Sequence, residues 1–274
     1  MTLEIHGISA IDALRIYVGD ELFARLRSRR HLYTALPGGA LLLMFHVQRA
    51  GAGRQWPVCV YLDREKMLLF TDDAKCVEGM RAQQPYAPPE ALRRFLDALT
   101  GDDVDMLEQL ETDVTELEDT LLTAKRVGHG VGNRIITFRR TLLHLKRYYE
   151  QLALMTEFLA GDAGDALDEE QRRRFETLNR HIDRLLDYVL HLREYVTQVR
   201  EAYQAQLDFE QNQLMKVFTV LTAIFLPLSL IVGWYGMNFA MPEYKWPFGY
   251  AFVALLSIAV CGVCFFIFKR KKWL

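Results

Sequence analysis

Val217–Tyr235 reads VFTVLTAIFLPLSLIVGWY, and Gly236–Pro247 continues at once as GMNFAMPEYKWP. The first run contains no Asp, Glu, Lys, Arg or His, and neither does Phe248–Phe268 beyond the gap. Each run is close to the roughly 20 residues that cross a hydrocarbon core about 30 Å thick. Two uncharged runs of that length predict two membrane-spanning helices, at about 217–235 and 248–268, joined by the short segment 236–247. Buried helices of a soluble protein rarely stay uncharged for so long.

The flanks set a predicted orientation. Lys269–Lys272 (KRKK) follow the second run directly, and Lys216 abuts the start of the first. Basic flanks mark the cytoplasmic side, which puts both chain ends inside and the 236–247 linker outside. The start, MTLEIHGISAIDALRIYVGDE, lacks a basic segment followed by an unbroken apolar core, so it does not read as a secretory signal. A multi-pass protein of the cell (inner) membrane is expected. The 274-residue chain has a net charge of −2, which offers no bulk attraction to nucleic acid. Of the four cysteines, Cys261 and Cys264 form CGVC inside the second run. With no second pair and no histidine nearby they read as small helix-packing residues, not a metal or redox pair.

Ahead of the spans, residues 1–85 carry apolar, branched runs (Ala40–Val47 and Trp56–Asp72) punctuated by LPGGA and RAGAGRQ. This predicts hairpins flanked by helices, a small α/β domain. It shows no phosphate-binding glycine loop and no catalytic triad pattern, and the reading points away from an enzyme. Residues 86–167 read as helical layers. Pro88 and Pro89 open one helix and Gly101 stops it. Leu107, Leu110, Val114, Leu117 and Leu121 mark a second helix; Phe138, Leu142, Leu145, Tyr149 and Leu152 mark a third. From 168 to 235 the pattern is one very long helix. Phe175, Leu178, Ile182, Leu185, Val189, Leu192, Val196, Val199 and Tyr203 keep a three-four rhythm, and no proline or glycine interrupts Glu169–Leu226. At 1.5 Å per residue that helix measures about 100 Å. Its first part is expected to pack on the helices before it, and its far end to enter the membrane. The fold class is therefore α+β, mainly helical, ending in a basic tail at 269–274. Acidic runs such as GDDVDMLEQLETDVTELED read as solvated helix faces rather than a metal site.

Along the first span Asn212, Met215, Thr219, Thr222, Leu226, Ser229 and Gly233 share a three-four rhythm. They form a small, mildly polar seam, whereas Val217, Leu221, Phe225 and Leu228 are wholly apolar. A polar seam at membrane depth packs on another helix or faces water. The second span answers it with little beyond Ser257, which favours copies of the seam around a central axis over helix packing alone. Two helices cannot enclose a pore, but head-to-tail contacts between identical chains close into a ring. The seam holds no carboxylate. Hydroxyls, amide oxygens and carbonyls suit a divalent cation that keeps its water shell. Met215 and Leu226 would form apolar constrictions. Pro227 frees a carbonyl one turn earlier, which a water-filled pore would satisfy.

The segment MKVFTVLTAIFLPLSLIVGWYGMNFAMPEYKWPFGY, with Gly236-Met237-Asn238 followed by Met241-Pro242-Glu243, a second span and KRKKWL, resembles the CorA family of divalent-cation channels. Close motif similarity covers about the last 65 residues, and the order of elements agrees in outline over the rest. The resemblance implies a homopentameric, funnel-shaped channel for magnesium, also passing cobalt or nickel, with no cofactor and with hydrated divalent cations, the lipid membrane and its own copies as partners. It implies that the Gly236-Met237-Asn238 triplet is the selectivity filter and that Asn238 recognises hydrated cations at the outer mouth. Asn212, Met215, Thr219, Thr222, Leu226 and Ser229 fall on the family's pore-lining positions. Leu226 and Ser229 stand where relatives commonly carry methionine and threonine. Glu243 would ring the entrance with negative charge. The family also implies cytoplasmic magnesium sites that hold the channel shut; Asp162, Asp165, Asp168, Glu169 and Asp183 are candidates, none anchored by a motif. Two other readings stand beside this one: a proton-coupled zinc transporter of the ZntB type, which tends to lack the MPE sequence, and a membrane-anchored coiled-coil scaffold.

Overall fold

The structure, a computed structural model, describes residues 2–48, 55–83, 86–123, 128, 130–237 and 246–271. It forms two compact units, Met1–Ala124 with Gly128–Glu201, and Lys125–Val127 with Ala202–Leu274.

In the first unit the described residues form a five-stranded sheet of order β1-β5-β4-β3-β2. The strands are β1 (Thr2–His6), β2 (Leu32–Leu36), β3 (Ala40–Gln48), β4 (Gln55–Leu62) and β5 (Lys66–Phe70). Four of them run antiparallel in sequence order, and β1 adds parallel to β5 at the edge. The β2–β3 hairpin turns through Gly38 and Gly39, with φ of 86° and 76°, a region open to glycine at no steric cost. Between β4 and β5 the Asp63 carboxylate accepts from the Glu65 and Lys66 N–H groups at 2.9 and 2.8 Å, closing the turn.

Both faces of the sheet are covered, which is why Ala40–Val47 reads as an unbroken apolar run and not an alternating one. Leu42, Met44, Cys59, Tyr61, Leu68 and Phe70 pack beneath a 3-10 helix (Ile8–Ile16) and helix α1 (Asp20–Arg27), which contribute Ile8, Ile11, Leu14, Phe23 and Leu26. The alternate residues Leu41, Leu43, Phe45, Val58, Val60 and Leu69 are equally buried on the other face.

Helix α2 (Ala74–Arg81) is capped by Asp73, whose carboxylate accepts from Cys76 N–H at 3.1 Å. Helix α3 (Pro88–Thr100) begins on two prolines, as its sequence predicts. Three longer helices follow, α4 (Asp103–Thr123), α5 (Val131–Gly161) and α6 (Glu169–Tyr235). The expected stripes are their inner faces. Phe138, Leu142, Leu145, Tyr149 and Leu152 of α5 are buried, and so are all the α6 stripe positions from Phe175 to Val199. Leu110 and Tyr203, which continue the rhythm in sequence, are only half-buried.

Specific polar contacts fix how these elements sit. The Gln151 side chain of α5 accepts from His46 N–H at 3.0 Å and donates back to the His46 carbonyl. Strand β2 pairs with β3 only as far as Leu32↔Met44, so His46 lies one repeat beyond its last partner, and the amide completes the ladder there. Tyr33 donates to the Gln151 carbonyl at 2.9 Å. The Thr156 hydroxyl meets Asn179 Oδ1 at 2.6 Å, tying α5 to α6. Tyr188 and Tyr195 of α6 donate to Glu111 and Glu118 of α4. The bond to Glu111 pushes the Tyr188 phenol up to about 12. Glu90 joins α3 to α6 by accepting from Arg93 at 2.9 Å, Arg94 at 3.0 Å and Arg174 at 3.2 Å. These guanidinium bonds, Arg93 foremost, hold its carboxyl down to about 2.

In the second unit, α6 continues unbroken to Tyr235 through Pro227, and α7 spans Gly249–Arg270. Among the described residues these two helices are long and apolar enough to cross a membrane. Only 6% and 0% of their apolar windows are buried inside the chain.

Candidate functional site: the exposed seam of α6

From Ala202 onward α6 presents three faces. The side bearing Lys216, Val220, Ala223, Ile224, Pro227 and Ile231 is half-buried or buried. Helix α7 approaches on this side, where Cys264 Sγ lies 3.6 Å from the Ala223 carbonyl oxygen. A second side carries the apolar Leu214, Val217, Leu221, Phe225 and Val232, all exposed. The third is the seam, and Asn212, Met215, Thr219, Thr222, Leu226, Ser229 and Gly233 are every one exposed. The covered face therefore includes Pro227 and is distinct from the seam, a division that sequence polarity alone does not reveal.

Two details shape the seam's chemistry. The Thr219 hydroxyl donates to the Met215 carbonyl at 2.8 Å, so its remaining capacity is as an acceptor pointing away from the helix. Met215 and Leu226, 57% and 70% exposed, are the large apolar side chains along it. Pro227 has no N–H for the carbonyl four residues back, that of Ala223. Pore water is the partner expected for this carbonyl from sequence. The carbonyl lies instead on the α7 side, where the Cys264 thiol donates to it, which gives half of the CGVC pair a hydrogen-bonding role.

The helix ends at the triplet. Gly236 N–H donates to the Val232 carbonyl at 2.9 Å, and Met237 N–H to Trp234 at 3.3 Å. A Cβ on residue 236 would sit 2.9 Å from the Val232 oxygen, closer than side chains tolerate, so the chain leaves the helix where only glycine fits. Asn238 and Glu243 lie outside the described residues.

The five carboxylates considered for metal regulation are dispersed. Asp162 caps the end of α5 and Asp165 lies in a short 3-10 turn, Gly164–Ala166. Asp168 and Gln171 form a reciprocal cap on α6, with Gln171 N–H donating to Asp168 Oδ1 at 2.7 Å and Asp168 N–H to Gln171 Oε1 at 3.0 Å. Glu169 pairs with Arg173 at 3.4 Å, and Asp183 accepts from the Asn179 amide at 3.0 Å. Asp165 and Asp168 share a cavity of about 460 Å³ with Arg64 and Arg172, whose charges oppose theirs. Among the described residues no group of three or more His, Cys, Asp or Glu is placed to hold a metal ion.

Residues 58–270 match a family profile described as "CorA-like Mg2+ transporter protein". The cobalt/magnesium transport protein CorA of Thermotoga maritima is 30% identical over 184 residues, 67% of this chain and 52% of that protein. The magnesium transport protein CorA of Wolinella succinogenes is 26% identical, over 61% of this chain and 54% of that one. The chain thus spans about half the length of these curated relatives. In fold it resembles the complete structure of the CorA magnesium transporter from Methanocaldococcus jannaschii, with a TM-score of 0.77 at 22% identity over 96% of this chain and 87% of that one. It also resembles the cytoplasmic domain of ZntB from Vibrio parahaemolyticus, with a TM-score of 0.59 at 11% identity over 73% of this chain and 84% of that one. With the family profile matched over most of its length, the chain belongs to the family of CorA-like Mg2+ transporter proteins.

Proposed function

We propose that this chain conducts magnesium, and with it cobalt and nickel, through a ring of five identical copies in the inner membrane. Each copy gives its α6 seam to a central pore. The observation that carries the reading is that every seam position from Asn212 to Gly233 is exposed on α6, while the side of the helix that α7 covers is a different one. Exposed hydroxyl groups at membrane depth need partners, and water in a pore supplies them. The names of the relatives support the choice of cation.

On this reading Gly236, Met237 and Asn238 form the filter. The ring of Asn238 amides holds cations by their water shells, and Glu243 draws them to the entrance. Met215 and Leu226 close the pore by dewetting, and the acceptor oxygens of Thr219, Thr222 and Ser229 receive the hydrogens of the ion's water shell between them. Both chain ends face the cytoplasm, in keeping with Lys269 and Arg270 at the end of α7. The membrane potential supplies about 2.3 kcal/mol per charge per 100 mV, enough to drive entry. Feedback by cytoplasmic magnesium would draw on Asp162 and Asp165, because Asp168, Glu169 and Asp183 serve local contacts.

Flux into liposomes tests this. Purified protein should admit magnesium with no proton gradient, and Asn238→Ala should abolish selectivity for it over other divalent ions. Uptake that required a proton gradient and preferred zinc would replace this reading with proton-coupled zinc transport. No cation flux at all, with partner proteins retained by the Asn238→Ala variant, would replace it with a scaffold.

A further inference from the structure

In the first unit charge is sharply divided among the helices. Helix α4 carries eight Asp and Glu and no Lys or Arg. The Val131–Tyr149 half of α5 carries five Lys and Arg and no acid. Between α5 and α6 runs an open groove of about 320 Å³, lined by Ile136, Arg139, Arg140, Leu143, Arg193 and Thr197. Arg139 and Arg140 are exposed and Arg193 is half-buried. Among the described residues none of the three has a carboxylate within ion-pairing distance. Ile136 and Leu143, 47% and 39% exposed, add an aliphatic floor. Three unpaired guanidinium groups beside aliphatic surface suit a partner that is acidic and partly apolar.

The outer face of α4 has that character. Asp105, Glu108, Glu116 and Asp119 are exposed at three- and four-residue multiples along one stripe, and Leu122 at its end is 73% exposed. Leu107, Val114, Leu117 and Leu121 occupy the inward face, so the acids point away from the bundle interior. Helix α6 meets α4 through Tyr188 and Tyr195. Arg193 and Thr197 project from the opposite side of α6, some 140–180° around a helix of 3.6 residues per turn. The acidic stripe and the basic groove are therefore complementary patches on different sides of one molecule. Such patches join head to tail and close into a ring.

On the reading that copies form such a ring, we infer that the Arg139–Arg140–Arg193 groove receives the acidic α4 of a second copy. The level of the contact also follows. The Tyr188–Glu111 and Tyr195–Glu118 bonds share a sequence offset of 77, so α4 and α6 run in parallel register and Arg193 stands level with Glu116. Rotation about an axis along these helices preserves level, which brings Arg193 of one copy to Glu116 of the next. Charge complementarity then sets neighbour and register, the role charges play best at an interface.

Full-length protein carrying Arg193→Cys and Glu116→Cys together, oxidised mildly in detergent, tests the contact. The two positions lie on opposite sides of α6 within one copy, so bonds form between copies. A covalent ladder up to the ring size is expected, with each single variant and the wild type remaining at monomer mass. In the same preparation Glu116→Arg or Arg193→Glu should each weaken assembly about fivefold, and the pair together should restore it. A multimeric mass by native mass spectrometry with no ladder would overturn the groove contact while leaving the ring intact. A monomeric mass would overturn both. Saturable binding of inorganic tripolyphosphate, lost in Arg139→Glu and accompanied by no ladder, would show the groove to be a phosphate site and overturn the contact as well.

Discussion

Cys264 of α7 donates its thiol at 3.6 Å to the carbonyl of Ala223, the backbone acceptor that Pro227 leaves without its helical N–H. A proline at membrane depth is tolerated where something meets the carbonyl it frees. Here the partner is a neighbouring helix, so the proline side of α6 is turned to α7 and the polar seam is left open. Removing the thiol should therefore cost more than removing its neighbour in the motif. Cys264→Ala is expected to lower stability by about 1 kcal/mol, and Cys264→Ser to retain it. Cys261→Ala serves as the control with little effect. Thermal unfolding of the full chain in detergent measures the difference.

Gln151 holds the end of strand β3 by two bonds to the His46 backbone. With only 4% of Gln151 exposed, water cannot replace it. Gln151→Ala leaves a buried N–H and C=O unpaired and should cost about 2 kcal/mol, a fall in apparent Tm of roughly 4–8 °C. Gln151→Glu keeps the acceptor but loses the donor to the His46 carbonyl, and should also destabilise. Hydrogen exchange at His46 is the local readout, expected to accelerate in both variants.

The rings of His31 and His46 stand 5.1 Å apart. Burial lowers the pKa of both, and the charges of His31 and Arg29 lower His46 further. The folded state thus binds fewer protons than the unfolded chain, whose histidines titrate near 6.5. Stability is complete above that value and declines as the pH falls below it. Apparent Tm measured at pH 7.5 and 5.5 should drop, and the drop should shrink when His31→Asn and His46→Phe are combined. An undiminished drop in that double variant would assign the pH dependence to other groups.

Gly236 ends α6 where a Cβ would press on the Val232 oxygen at 2.9 Å. Gly236→Ala must shift that carbonyl or the helix end, an overpacking cost of about 1–3 kcal/mol. On the proposed function magnesium flux in liposomes should fall about tenfold or more, with the assembled mass unchanged. Flux equal to wild type would show that the helix end has no part in placing the filter.

Much of this architecture is written in local pattern. The stripe from Phe175 to Val199 marks the buried face of α6, because side chains three and four apart share one side of a helix. The uncharged runs at 217–235 and 248–268 mark two apolar helices, because lipid admits few charges. The triplet at 236–238, set between those two runs and followed by Met241-Pro242-Glu243, carries the resemblance to the family. These features depend on residues near one another in sequence, where helix periodicity and solvation act directly.

Other features needed the packed chain. The parallel pairing of β1 with β5 joins Thr2–His6 to Lys66–Phe70 across most of the sheet domain, and no local signal in either strand names its partner. Val220 and Leu221 are adjacent and equally apolar, yet one is 7% exposed and the other 54%. The approach of α7 decides between them, and hydrophobicity does not. The carboxylates at Asp168, Glu169 and Asp183 read in sequence as a metal-site candidate, whereas Gln171, Arg173 and Asn179 engage them as a cap, an ion pair and a hydrogen bond. The helices, their inner faces and the family resemblance are thus legible in local pattern. Which polar groups are already engaged and which remain open depends on contacts between residues far apart in the chain, and those exist only once it has packed.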